Sequence, residues 1–189
     1  MAYAPDLMFE HGLDVKKGWF DMASLDYSAK LSSSVSFDVP RGRVVHLELA
    51  AGKEVFLPGV SGSHMAIFLL NGAGDADVSN PGTTAGGKFM HQAVSPSGKL
   101  SGLVATGGYE IASTEFDTSQ TYNPGDLLTA GTSTSVASTG GVLTNQSAVQ
   151  YVNAVCGVVS SGASNNHNGV QTLSFWSVYL PAGTAATID

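Results

Sequence analysis

The chain has 189 residues, enough for one well-buried domain with an arm or for two small domains. Hydrophobic residues make up 43% and charged residues only 12%, so the surface is built largely from Ser, Thr, Asn, Gln and Gly. That suits an extracellular module or a subunit covered by neighbours better than a free cytosolic enzyme. With a net charge of −7 and eight Lys plus Arg, no cationic cluster is available to displace counterions from a polyanion. Nucleic acid is therefore not an expected partner.

Residues 1–31 place Leu7, Met8, Phe9, Leu13, Trp19, Phe20, Met22, Leu25 and Tyr27 without period 2 or 3.6. They read as an irregular N-terminal arm, which must bury its aromatic groups against its own domain or against a neighbouring subunit. The start of the chain lacks a positive region followed by an apolar core, so a secretory signal is not expected. No run approaches the roughly 18 apolar residues that span a bilayer, and a membrane is not an expected partner. Lys16-Lys17 and Arg41-Gly42-Arg43 read as solvated surface pairs.

From residue 32 onward the chain reads as one β domain, 32–189. "SVSFDV" alternates Val35, Phe37 and Val39 against polar neighbours, the period of a half-buried strand. After the turn "PRG", "RVVHLEL" turns Val45, Leu47 and Leu49 inward and leaves His46 and Glu48 facing solvent or a partner. "AAGKE" turns the chain into the short strand "VFLPG", and "HMAIFLL" has the near-continuous apolar character of a central strand. Asn71 to Gly87 is glycine-rich and aperiodic, a long loop suited to exposed contacts. "KFMHQAV" predicts a further strand, and "LSGLVATGGYEIASTEFD" continues the β pattern. Short strands at regular spacing predict an all-β fold, a compact β-barrel or sandwich of short antiparallel strands.

Reactive constellations are sparse. Asp75, Asp77 and Ser79 begin like a calcium loop, but Asn80 and Gly86 stand where an EF-hand needs glycine and glutamate. The five histidines, His11, His46, His64, His91 and His167, have no local metal-ligand spacing. The single cysteine, Cys156, excludes an intramolecular disulfide and lies in the Val-rich "VNAVCGVVSSG", where a thiol behaves as a small buried hydrophobe. Neither an enzyme nor a cofactor or metal site is expected. A hydrolase using Cys156 or dispersed histidines ranks below the binding and structural readings.

The C-terminal part is the most informative. In "TYNPGDLLTAG", Pro124 and Gly125 favour a tight turn, Asp126 can bond nearby backbone, and Leu127 and Leu128 enter a strand. "VCGVV" reads as a core strand whose glycine permits a bulge or close backbone approach. "LSFWSVYL" alternates Leu173, Phe175, Ser177 and Tyr179 against Ser174, Trp176, Val178 and Leu180, with both faces partly covered. The order Tyr-x-x-Gly-Asp-x-Leu, Gly-x-Leu, Gly-Val-Val, Leu-x-Phe, within Gly107 to Pro181, resembles the β-module of tailed-bacteriophage capsid decoration (cement) proteins.

That resemblance implies a non-enzymatic virion structural protein, made in the host cytoplasm, that binds the outside of an assembled capsid and stabilises it. It further implies the major capsid protein as partner, a homo-oligomer with a trimer favoured, and no cofactor. Phe9, Trp19 and Phe20 are the candidate capsid or subunit contacts. The alternative from a different class is a fibre-type receptor- or glycan-binding virion module, which needs exposed aromatics in a loop. Asn71 to Gly87 contains none.

Overall fold

The computed structural model describes residues 13–17, 25–32, 35, 39–60, 64–69, 99–104, 108–131, 140–146, 154–165 and 169–181. Among them are eleven strands and no helix. These are β1 (Leu13–Lys17), β2 (Leu25–Leu31), β3 (Val44–Ala50), β4 (Lys53–Pro58), β5 (Ile67–Leu69) and β6 (Lys99–Val104). They continue with β7 (Glu110–Ser113), β8 (Leu127–Ala130), β9 (Leu143–Gln146), β10 (Val155–Asn165) and β11 (Gln171–Leu180).

The strands form two sheets. One is open and six-stranded, in the order β1-β7-β11-β10-β8-β9. In the other, the pairings run β2-β4-β3-β5-β6 and return to β2, closing a small five-stranded ring. Every pairing is antiparallel except β2 with β4. The chain is all-β, as the alternation predicts, with the barrel confined to one half.

Within the segment expected as an irregular arm, Leu13–Lys17 and Leu25–Leu31 are strands, one in each sheet. β1 is an edge strand whose regularity comes from its partner: Leu13, Asp14 and Val15 lie opposite Ser113, Ala112 and Ile111. A strand fixed by a neighbour 93 or more positions away in sequence needs no alternation of its own. Residues 1–12 and 18–24, including Phe9, Trp19 and Phe20, lie outside the described residues, as do Asn71 to Gly87 and "KFMHQAV".

Two hydrophobic cores share strands. The larger lies between ring and open sheet and joins Val44, Val60 and Phe68 to Leu13, Ile111, Leu128, Cys156, Leu173 and Phe175. The smaller fills the ring with Val35, Val39, Val45, Phe56, Ile67 and Leu69. Adjacent residues of β3 and β5 therefore point into different cores, which accounts for the unbroken apolar run "AIFL".

This double coverage corrects the sidedness expected for β3. His46, expected to face solvent or a partner, is 1% exposed, because the face it shares with Val44 is turned to the rest of the molecule. Leu49, expected inward, is 75% exposed, one residue before the tight β3–β4 turn. That turn is a two-residue hairpin loop, Ala51-Gly52, with φ of 50° and 74°, the combination that matches the twist of the flanking strands.

Backbone hydrogen bonds stitch ring to open sheet. Val44 N–H donates to Gly141 O (3.0 Å) and Val60 N–H to Ala130 O (3.1 Å), while Gly59 N–H donates to Val44 O (2.7 Å) on the ring side. Gly141 has φ +77°, and a Cβ there would overlap the Val44 carbonyl oxygen, so only glycine lets these two backbones meet.

Candidate functional site

Three sequence-distant pieces of the C-terminal pattern assemble into one module. Asn123-Pro124-Gly125-Asp126 forms a turn in which Asp126 N–H donates to Asn123 O (3.0 Å), with Gly125 at φ +95°. Proline second and a positive-φ glycine third is the type II arrangement. Asp126 Oδ2 then accepts from Asn123 N–H at 2.7 Å, closing the turn from its side chain. The turn clamps β10: Gly125 N–H donates to Val159 O (2.9 Å), and Val159 N–H to Asp126 O (2.8 Å).

From there Leu127 and Leu128 lie opposite Val158 and Gly157, while Gly157, Val158 and Val159 lie opposite Ser177, Trp176 and Phe175 on β11. Gly157 is closely approached, by side chains rather than by the backbone expected. A Cβ there would sit 2.6 Å from Cδ2 of Phe175 and 3.4 Å from Cδ1 of Leu128. The ladder also shifts register between Val155 and Gly157.

The outward side of this module carries an apolar row. Leu127, Val158 and Trp176 are consecutive cross-strand partners on β8, β10 and β11, and Glu110 of β7 follows Trp176. Trp176 is 39% exposed, and Leu127 and Val158 are half-buried. Polar groups border the row: Ser160 Oγ donates to Glu110 Oε1 (3.0 Å), and Lys16 Nζ to Ser174 Oγ (2.7 Å). An apolar centre with a polar border is the anatomy of a protein contact surface.

Both arginines are tied into the protein, Arg43 buried and Arg41 half-buried. Arg43 is buried, and its Nε pairs with Glu115 Oε2 while Nη1 donates to Gly140 O at 2.6 Å. Arg41 Nη2 donates to Leu13 O at 2.7 Å. The expectation of a surface pair fails because the carboxylate partner lies 72 positions along the chain, beyond any local pattern. Glu115 is held in turn: its N–H donates to Ser113 Oγ (3.0 Å), and its carbonyl accepts from Leu143 N–H (2.9 Å).

The other candidates fall into place locally. Cys156 is fully buried, its Sγ 3.5 Å from Leu128 O, and burial pushes the thiol up to about 12. A thiol so held is neutral and shielded. Tyr122 is pushed up to about 12, by burial first and by the Asp117 charge second. Its hydroxyl donates to Asp117 O (2.8 Å), and its ring meets Phe116 edge-on at 5.5 Å. Hydrogen bonds from Ser119 hold the Asp117 carboxyl below its ordinary value. The His46 and His64 rings meet at a tilt of 42°, centroids 5.1 Å apart, a proximity that no sequence spacing announced. Among the described residues no three His, Cys, Asp or Glu side chains gather as a metal site. Asp75, Asp77, His11, His91 and His167 lie outside the described residues.

Sequence reading missed the Arg43–Glu115 pair and the outward row. The latter could have been found by setting "GDLL", "GVV" and "LSFW" side by side as strands. Compared with family models, curated proteins and solved structures, the chain matches none.

Proposed function

We propose that this chain is a non-enzymatic structural protein of a tailed-phage virion, which binds the outside of an assembled capsid and stabilises it. The observation that carries the reading is the convergence just described. The residues on which the resemblance rests are scattered over the last third of the chain, yet they meet as one hydrogen-bonded module with an apolar row on its outer side. Its partner on this reading is the major capsid protein, and its working form a homo-oligomer, a trimer first among the options. Phe9, Trp19 and Phe20 remain the proposed arm contacts, joined by the Leu127–Val158–Trp176 row.

Two further observations support it. Arg41 and Arg43, a quarter of the eight Lys and Arg, are bonded to groups of the protein itself, leaving still fewer cations for a polyanion. The one thiol is buried and neutral.

The test is co-sedimentation of the purified protein with undecorated shells. Removing the first thirty residues would not probe the arm cleanly, since it would delete β1 and nearly all of β2 and so strike both sheets. Point substitutions Phe9→Ala, Trp19→Ala and Phe20→Ala, and separately Trp176→Ser, avoid this. Saturable binding by the parent, weakened at least tenfold by either set, is the expected result. Shells that pellet without the protein would sink the proposal, and a reproducible glycan-array hit would move it to the receptor-binding alternative.

A further inference from the structure

The buried ring of His46 sits between two groups that both accept hydrogen bonds. Nδ1 is 2.8 Å from the carbonyl oxygen of Gly59, and Nε2 is 3.1 Å from Oε1 of Glu48. A carbonyl oxygen only accepts, so Nδ1 must carry a hydrogen. In a neutral imidazole Nε2 is then a lone pair, and an ionised carboxylate opposite it is also an acceptor. Two acceptors at 3.1 Å repel, so the arrangement lacks one proton.

We propose that His46 is a proton-operated clasp, whose imidazolium donates to Gly59 and to Glu48 at once and which lets go of Glu48 when the proton leaves. A ring 1% exposed carries a charge only with such partners, and here it has one full carboxylate and one carbonyl. Among the described residues, the ionisable groups in contact with it are Glu48 from its own strand and His64 from the segment leading into β5. Val55 to Val60 and Ala66 to Leu69, the described neighbours on β4 and β5, contribute none.

The clasp is placed where it matters mechanically. Gly59 N–H holds the Val44 carbonyl, and the next residue, Val60, donates to Ala130 across the seam between ring and open sheet. Fixing the Gly59 carbonyl from the side therefore steadies the Gly59–Val60 peptide, whose N–H makes the Val60–Ala130 bond across that seam. Loss of the proton turns the Glu48 contact from attraction to repulsion and leaves Nδ1–H a weaker, uncharged donor to the Gly59 carbonyl, which loosens that peptide. The device is independent of what the outer face binds.

The experiment uses the full chain labelled with ¹⁵N, following ring nitrogens by long-range ¹H–¹⁵N correlation and amide exchange through a pH titration. In the parent, both His46 nitrogens carry hydrogen in the protonated form. The proton then leaves Nε2 while Nδ1–H stays on Gly59, and exchange protection at Gly59 and Val60 is lost over the same range. In Glu48→Gln the side-chain amide donates to Nε2 and satisfies a neutral ring, so protection at Gly59 and Val60 no longer follows the ring's titration. Glu48 is part-exposed, which keeps that variant foldable. A His46 ring whose hydrogen sits on Nε2 with a lone pair on Nδ1 would overturn the proposal. So would Gly59 and Val60 protection with the same pH dependence in parent and Glu48→Gln.

Discussion

Replacing Glu115 by glutamine tests how much of the fold hangs on the seam between ring and open sheet. Arg43 and Glu115 are 8% and 4% exposed, so neither charge has water to fall back on. After Glu115→Gln the guanidinium retains the Gly140 carbonyl but loses its counter-charge. Leaving one member of a buried pair uncompensated costs about 3–5 kcal/mol, against about 0.2–1 kcal/mol for an exposed pair. Total stabilities run to about 5–15 kcal/mol, so roughly a fifth or more of the margin should go. With an m-value of about 2 kcal/mol/M, the urea midpoint falls by roughly 2 M. Urea unfolding followed by tryptophan fluorescence measures this, with Trp176 reporting from β11 in the open sheet. The double variant Arg43→Met with Glu115→Leu removes both charges, and it should recover most of the loss. A loss below about 1 kcal/mol for Glu115→Gln, or no recovery in the double variant, would refute the view of the pair as a buried tie.

Other perturbations probe separate parts. Gly141→Ala forces a side chain into a left-handed conformation against the Val44 carbonyl; calorimetry should show a loss of at least about 1–2 kcal/mol, where an unchanged midpoint would contradict the close approach. Ala51→Asn places the residue preferred at the first position of the β3–β4 turn and should stabilise the protein by about 1 kcal/mol in the same assay. Tyr122 is shifted up from 10.0 to about 12, so the fold holds its proton more tightly than the unfolded chain does. Its contribution is complete below pH 10 and drains as pH rises towards about 12. Tyr122→Phe should flatten that part of the alkaline stability curve, and an unaltered slope would point elsewhere.

Local chemistry was legible wherever the sequence settles a structure within a few residues. The Asn123–Asp126 turn follows from proline and glycine in adjacent places, and the β3–β4 hairpin from "AAGKE". The alternation in "LSFWSVYL" gave β11 both of its faces. What was not legible depends on distant partners. β1 has no periodicity because β7 imposes its geometry. His46 looked outward because alternation assigns faces without saying whether the second face is covered. Arg43 looked solvated because its carboxylate arrives from the far side of the seam. The outward row escaped notice because its members are neighbours only across strands.

The order of strands along the chain carries a consequence for how the protein is born. β1 belongs to the open sheet, the next five strands build the ring, and β7, the partner of β1, comes only afterwards. The ring is thus threaded into a sequence gap between two strands that touch. During synthesis its five strands can close once Val104 has cleared the ribosome, while β1 waits for β7, and β7 in turn for β11 near the end of the described chain. Bringing Lys17 beside Glu110 closes a loop of about 90 residues, roughly 4 kcal/mol of chain entropy if the intervening segment were slack. A ring already folded shortens that loop to its own width. The early half thereby acts as an internal jig for the late half, and mutations confined to the ring's own core, such as at Val45 or Leu69, should slow the assembly of a sheet outside that core.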